Sequence, residues 1–220
     1  MAEKANSYRH GELPRVLMQL ALEHIELRGT EKLSLRALAR EAGVSPTAPY
    51  CHFSSKQDLL ATIATQGFQR LREKQREVIS GSAPPEERLV GISLAYVEFA
   101  LENPTCYQLM FGSLLGDFSN FEMLKQAVTA SYTEVDALLD EIITSRNLQT
   151  DTEQLGGVIW SFLHGMSSLL INEVCVGEAR SKPMQAVAAL RRDHEAALRL
   201  MFAQLLGADE AQLSRVSVAR

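Results

Sequence analysis

The run from Ser34 to Leu60, SLRALAREAGVSPTAPYCHFSSKQDLL, constrains the fold most tightly. Leu35, Leu38 and Ala39 recur at helical spacing behind Ser34, whose side chain caps a helix by accepting from a backbone N–H in its first turn. Ala42-Gly43-Val44 ends that helix, and Gly43 reaches positive φ at no steric cost. Ala39 and Gly43 are small and four apart, which lets two helices approach closely at a large angle, the geometry of a helix-turn-helix. Ser45 then starts a second short helix, expected over Pro46–His52, with Pro46 at the position where a missing N–H is harmless.

Elsewhere the chain has hardly any alternation of apolar and polar residues, and apolar spacings of three and four recur. The fold class is therefore all-α: a three-helix helix-turn-helix head and a larger helical-bundle body, about nine helices in total. The helices are expected at Glu12–Arg28, Leu35–Ala42, Pro46–His52, Ser55–Ile79, Pro85–Glu102, Thr105–Phe111, Ser119–Arg146, Asp151–Val176 and Met184–Leu206. Capping-box pairs support three of the starts: Ser54 with Gln57, Ser119 with Glu122, and Thr150 with Glu153. The head is placed at residues 1–60, the body at 61–210 and a polar tail at 211–220. No flexible linker joins head and body; the helix from Ser55 runs through, so a rigid shared helix is expected to carry movement between them.

Charge separates the two parts. Residues 1–76 hold 12 Lys and Arg against 8 Asp and Glu, whereas residues 77–220 hold 10 against 19. A basic head on an acidic body is expected if only the head meets phosphates. Cys51, Cys106 and Cys175 have neither an even count nor a short metal-like spacing, so reduced thiols in a cytoplasmic protein are the simplest reading. The polar N-terminus has no secretory signal. Leu155–Ile171 is nearly uncharged but short for a membrane span and carries His164 and three serines, which fits a buried helix better.

On the second short helix, Thr47, Tyr50 and Cys51 point outward and could reach base edges and phosphates. Lys56 starts the next helix, where its ammonium and the N-terminal N–H groups would form a phosphate clamp. Spacing alone leaves open a turn of this shape inside any helical protein. The string LRALAREAGVSPTAPYCHFSSKQDLL, however, resembles the N-terminal head of the tetracycline-repressor (TetR) family, with Ala39, Gly43, Val44, Ser45, Tyr50, His52, Phe53, Lys56 and Leu59 at the expected places. The resemblance implies that Thr47, Tyr50, His52 and Lys56 face DNA and that Phe53 packs in the head. Ser34, Arg36 and Ser45 join them as candidate DNA contacts, and Arg9 in the arm Tyr8–Gly11 would reach a minor groove or phosphate, unless that arm is only a solvated terminus. Pro49 and Cys51 depart from the family pattern and leave operator sequence and affinity open.

In the body, Asp151–Val176 is apolar nearly all round, with Leu155, Ile159, Phe162, Met166 and Leu170 on one side and Trp160, His164, Ser167 and Ile171 on another. Such a helix is expected to be buried on both sides. The last helix carries a stripe of Val187, Leu190, His194, Leu198, Met201 and Leu205, so the two helices could build a four-helix contact across a two-fold axis. A homodimer is favoured over an interior helix of a monomer because two heads read a palindromic double-stranded operator. Trp160, His164 and Gly165, together with Asn103–Gly112, are similar to a TetR branch with a Trp-His-Gly C-terminal domain. Trp160 and His164 lie one turn apart and read either as core packing or as pocket lining. Phe99, Tyr107, Met110, Phe111, Phe118 and Phe121 cluster around a helix break and would wall a site for a small apolar or amphipathic effector, or simply fill a core.

No cofactor or metal is expected, and catalysis is disfavoured. The five histidines at 10, 24, 52, 164 and 194 have no paired metal spacing, no Gly-Xaa-Ser-Xaa-Gly elbow occurs, and Ser161 with His164 lacks a third group. A helical adaptor that binds only proteins is the other alternative; a repressor differs from it by shifting DNA.

Overall fold

The computed structural model describes residues 11–112, 120–176 and 182–207. Among these there are nine α-helices, one short 3-10 turn and no strand: α1 (Leu13–Arg28), α2 (Leu35–Glu41), the turn Ala48–Cys51, α3 (Lys56–Ile79), α4 (Pro85–Glu102), α5 (Pro104–Phe111), α6 (Glu122–Arg146), α7 (Thr152–Val176), α8 (Lys182–Arg192) and α9 (His194–Leu206). The all-α expectation holds. Arg9, Phe118, Ser119 and the 211–220 tail lie outside the described residues.

The helices gather into two compact units that divide α3 after Phe68. The first unit holds α1, α2, the 3-10 turn, the first half of α3, α5 and the opening turns of α6. Its core is made by Leu17, Ala21, Leu38, Ala39, Phe53, Leu59 and Leu60, all under 4% exposed. Gly67 of α3 leaves room for the side chains of α5: a Cβ there would stand 2.5 Å from Met110 Sδ and 2.9 Å from Cys106 Sγ. Phe111 meets the Phe68 ring edge-on at 5.3 Å and tilts against Tyr107 at 4.9 Å.

The second unit holds the end of α3, α4, most of α6, and α7 to α9. Helix α4 is central, packing on α7 and α9, with Leu89, Val97, Phe99 and Ala100 buried. Arg88 ties down the carboxyl end of α3. Its guanidinium donates to the Ile79 and Ala83 carbonyls and takes both Glu141 oxygens at 2.8 and 2.7 Å. Glu87, only 7% exposed at its side chain, is held by both its oxygens on Arg199 at 3.0 Å.

Four local expectations are corrected. The cap of α3 is set one residue later than Ser54 and Gln57: Ser55 Oγ accepts from the Asp58 N–H, and Asp58 accepts from the Ser54 N–H and hydroxyl. The cap of α7 shifts likewise from Thr150 and Glu153, since Asp151 accepts from the Gln154 N–H at 2.7 Å. A carboxylate one position on outcompetes the residue the spacing suggested. The last helix is not continuous from Met184 to Leu206, because Asp193 leaves the helical conformation and caps a new helix by accepting from the Ala196 N–H. Finally, α7 is not buried on both sides. Leu155, Ile159, Met166, Leu170 and Ile171 are buried, whereas Phe162 points outward with Val158 and Leu169, and Leu163 takes the inward place. Helix α7 over Thr152–Asn172 is also the described segment long and apolar enough to cross a membrane, with 39% of that window buried.

Candidate nucleic-acid interface and sensor residues

The helix-turn-helix geometry follows from the capping chemistry. Ser34 is extended and its hydroxyl accepts from the Ala37 N–H at 3.2 Å, so α2 begins where the sequence indicated. Gly43 sits at φ +68 and lets the Val44 N–H return to the Ala39 carbonyl at 2.9 Å, closing α2. Arg36 and Arg40, both exposed and four apart, share one face of α2 with no ion-pair partner among the described residues.

The second element departs from expectation. In place of an α-helix over Pro46–His52 the chain makes a 3-10 turn at Ala48–Cys51. Its bonds run from the Ala48 N–H to the Ser45 carbonyl, from Tyr50 to Thr47 and from His52 to Pro49. Pro49 has no N–H, so the α-helical ladder cannot start through it, and tighter three-residue bonds close instead. Pro49 itself is buried, and the Phe53 N–H turns back to its carbonyl at 2.9 Å. Ser45 does not cap a helix; its hydroxyl lies 3.2 Å from that of Thr47. Ser45, Thr47, Tyr50, Cys51 and His52 are exposed, with Tyr50 at 49%, while Phe53 is 3% exposed in the core.

Lys56 is placed differently from a free phosphate clamp. Its ammonium donates to the Thr30 carbonyl at 2.8 Å and is half-buried, which pins the start of α3 to the loop between α1 and α2. Arg40 is an exposed cation that spacing arguments passed over; its signal was its place one turn after Arg36. His24 faces inward on α1, as its helical spacing from Leu17 and Ala21 implies; it is 6% exposed and points Nδ1 toward Glu41 at 3.7 Å, and Arg28 approaches the same carboxylate at 3.6 Å.

The residues expected to meet an effector fall in both units. Tyr107 and Met110 are buried and Phe111 half-buried in the first, where Phe121 is also half-buried. Phe99 lies in the second unit, 1% exposed beneath the Arg70 guanidinium at 5.8 Å. Trp160, 38% exposed, stacks on His164 at 5.5 Å, and burial lowers the His164 pKa from the ordinary imidazole value. The second unit also has an open groove of about 860 Å³ beside the α6–α7 turn, lined by Leu148, Gln149, Leu155, Val158, Ser161 and Leu205 among others, which includes none of the expected residues.

Residues 17–63, the segment carrying α1, α2 and the exposed turn, match the profile of bacterial regulatory proteins of the tetR family, and residues 89–190 match the tetracyclin repressor-like C-terminal domain. The chain belongs to the TetR family. As a TetR-family member it is a DNA-binding transcriptional regulator, and the family is regulatory rather than enzymatic. Among curated relatives, the HTH-type regulator YobS of Bacillus subtilis is 28% identical over 102 residues, which is 46% of this chain and only 53% of YobS. The nucleoid occlusion factor SlmA of Edwardsiella ictaluri is 25% identical over 84% of this chain and 93% of its own. A solved Rhodococcus sp. RHA1 protein of unknown function is 28% identical, with a TM-score of 0.70 over 90% of this TetR-family chain and 98% of that one.

Proposed function

We propose that this TetR-family chain is a cytoplasmic homodimeric repressor. It binds a palindromic double-stranded DNA operator through residues 1–60, and a small apolar or amphipathic effector in the 61–210 body relieves that binding. The observation that carries the DNA half is the exposed turn with Thr47 and Tyr50 outward while Pro49 and Phe53 anchor it from beneath. Ser34, Arg36, Ser45, His52 and Lys56 belong to the same contact surface, with Lys56 acting first as the pin to Thr30 and offering its remaining donors to phosphate.

The dimer is supported by α7. Val158, Phe162, Gly165 and Leu169 follow one helical stripe, and Val158 and Leu169 are more than half exposed. A Cβ at Gly157 or Gly165 would meet nothing within 4 Å, so a second helix has room to approach closely. An apolar stripe of this kind is costly in water and is expected to be covered by a second copy, joined by Leu200 of α9. Candidate effector contacts are assigned within each unit separately: the aromatic and sulfur side chains Tyr107, Met110, Phe111 and Phe121 in the first, and Phe99, Trp160 and His164 in the second. Ligand and DNA then oppose each other by one coupling factor that is the same in both directions.

A gel shift on DNA flanking the chain's own gene, repeated with Tyr50→Ala and with a panel of acyl, aromatic and drug-like compounds, tests the reading. Binding lost in Tyr50→Ala and released by a compound that also raises the melting temperature is expected. A bound compound that leaves operator affinity unchanged refutes induction, and a failure to shift any DNA returns the chain to an adaptor role.

A further inference from the structure

The chemistry of the exposed turn is unusual for a surface that meets DNA. From Val44 to Ser55 there is no Arg, Lys, Asn, Gln, Asp or Glu. The paired hydrogen bonds that specify guanine come from Arg or Lys, and those that specify adenine from Asn or Gln. This turn can make neither. His52 follows it and offers a single donor in its neutral form.

The 3-10 geometry decides what is offered instead. Three residues complete a turn, so side chains three apart fall in line. Pro49 faces the core. Thr47 lines up with Tyr50, and Ala48 with Cys51; Thr47, Tyr50 and Cys51 are exposed and Ala48 is half-buried. The Thr47 hydroxyl already lies against that of Ser45 at 3.2 Å. The outward surface is thus a methyl, a thiol, an aromatic ring and a shared hydroxyl pair. Thymine is the base that presents a methyl group in the major groove, and small apolar side chains contact it.

We propose that the turn reads thymine through its C5 methyl, with Ala48 and Cys51 as the contact surface, while Arg36 and Arg40 of α2 hold the duplex in register. This rests on the DNA-binding reading above and adds the class of base that is read. Positioning and readout are then divided between two elements: cations on α2, methyl contact on the turn.

The test starts from duplexes selected out of a random library by the full-length protein. Each thymine of the selected site is replaced by deoxyuridine, which removes only the methyl, and affinity is measured by fluorescence anisotropy at fixed salt. In each half-site at least one replacement should weaken binding about fourfold, the worth of one buried carbon. In Cys51→Ser or Ala48→Ser that penalty should shrink, and the two changes should not add. Both positions are solvent-accessible, so circular dichroism should show an unchanged fold. Arg36→Ala and Arg40→Ala should weaken all sequences alike and flatten the salt dependence. A selected site in which every deoxyuridine costs less than about 1.5-fold overturns the inference but leaves DNA binding standing. Selection of no sequence overturns both.

Discussion

Replacing Ser167 with alanine should raise the melting temperature. Ser167 lies in the middle of α7 at 0% exposure, and its hydroxyl has no hydrogen-bond partner among the described residues. Burying an unpaired hydroxyl costs roughly 1–3 kcal/mol, which alanine removes. Alanine is also better in a helix than serine by about 0.5 kcal/mol. Against this stands the small void left by one oxygen, worth a few tenths of a kcal/mol at about 24 cal/mol per Å³. The net gain is about 1–3 kcal/mol. At roughly 2–4 °C per kcal/mol for a chain of this size, the transition should move up by about 2–12 °C. Thermal unfolding followed by circular dichroism at one protein concentration measures it, because the midpoint of the proposed dimer would depend on concentration. Ser93→Ala is the control: Ser93 is 1% exposed but its hydroxyl donates to the Leu89 carbonyl at 2.7 Å, so its loss should not stabilise. A lower midpoint for Ser167→Ala refutes the reasoning, since it would mean that the hydroxyl is satisfied in solution.

Arg199→Met should destabilise by about 3 kcal/mol, because it strands the buried Glu87 carboxylate; adding Glu87→Gln should recover part of the loss in chemical denaturation. Asp136 is exposed on α6, and partial desolvation and then repulsion from Asp140 and Glu153 raise its pKa. Its folded form therefore holds a proton more tightly than the unfolded form, and stability falls as pH rises past the ordinary carboxyl value. Asp136→Asn should raise the midpoint at neutral pH, with the gain fading as pH drops to that ordinary value; a gain that grows on acidification contradicts the sign. Trp160 is the chain's one tryptophan, so its emission reports the stacked His164 directly. Quenching by the imidazolium should titrate with a midpoint below that of free imidazole, because burial disfavours the charged ring. A midpoint at or above the free value contradicts it.

The head was legible because its signals are local. Ser34, Gly43 and Phe53 act within a few residues, and each does in three dimensions what its neighbours in sequence imply. The 3-10 form of the turn was also written in the chain, at Pro49, but its weight depends on a competition between two hydrogen-bond ladders that residue preferences alone do not decide. Asp193 breaking α8 from α9 is a similar case: the apolar stripe suggests one continuous helix, but a capping residue inside it ends α8 and starts α9. Helix α7 failed for a different reason. Apolar residues all round give no preferred face, so choosing Leu163 over Phe162 as the inward side chain needed α4 as a partner. The residues expected to meet an effector stand out only as a composition of aromatics and methionine, which says nothing about which of two units each joins.

The central claim is that the exposed 3-10 turn is the part that reads DNA. The most direct measurement is fluorescence anisotropy of the full-length protein on a palindromic duplex selected by it, against a scrambled duplex, for the wild type and Tyr50→Ala. Tyr50 is half exposed and makes no core contribution, so the variant should keep its melting temperature. The account predicts preference for the selected duplex that is steeply salt-dependent and largely lost in Tyr50→Ala. Unchanged affinity and preference in that variant would contradict it.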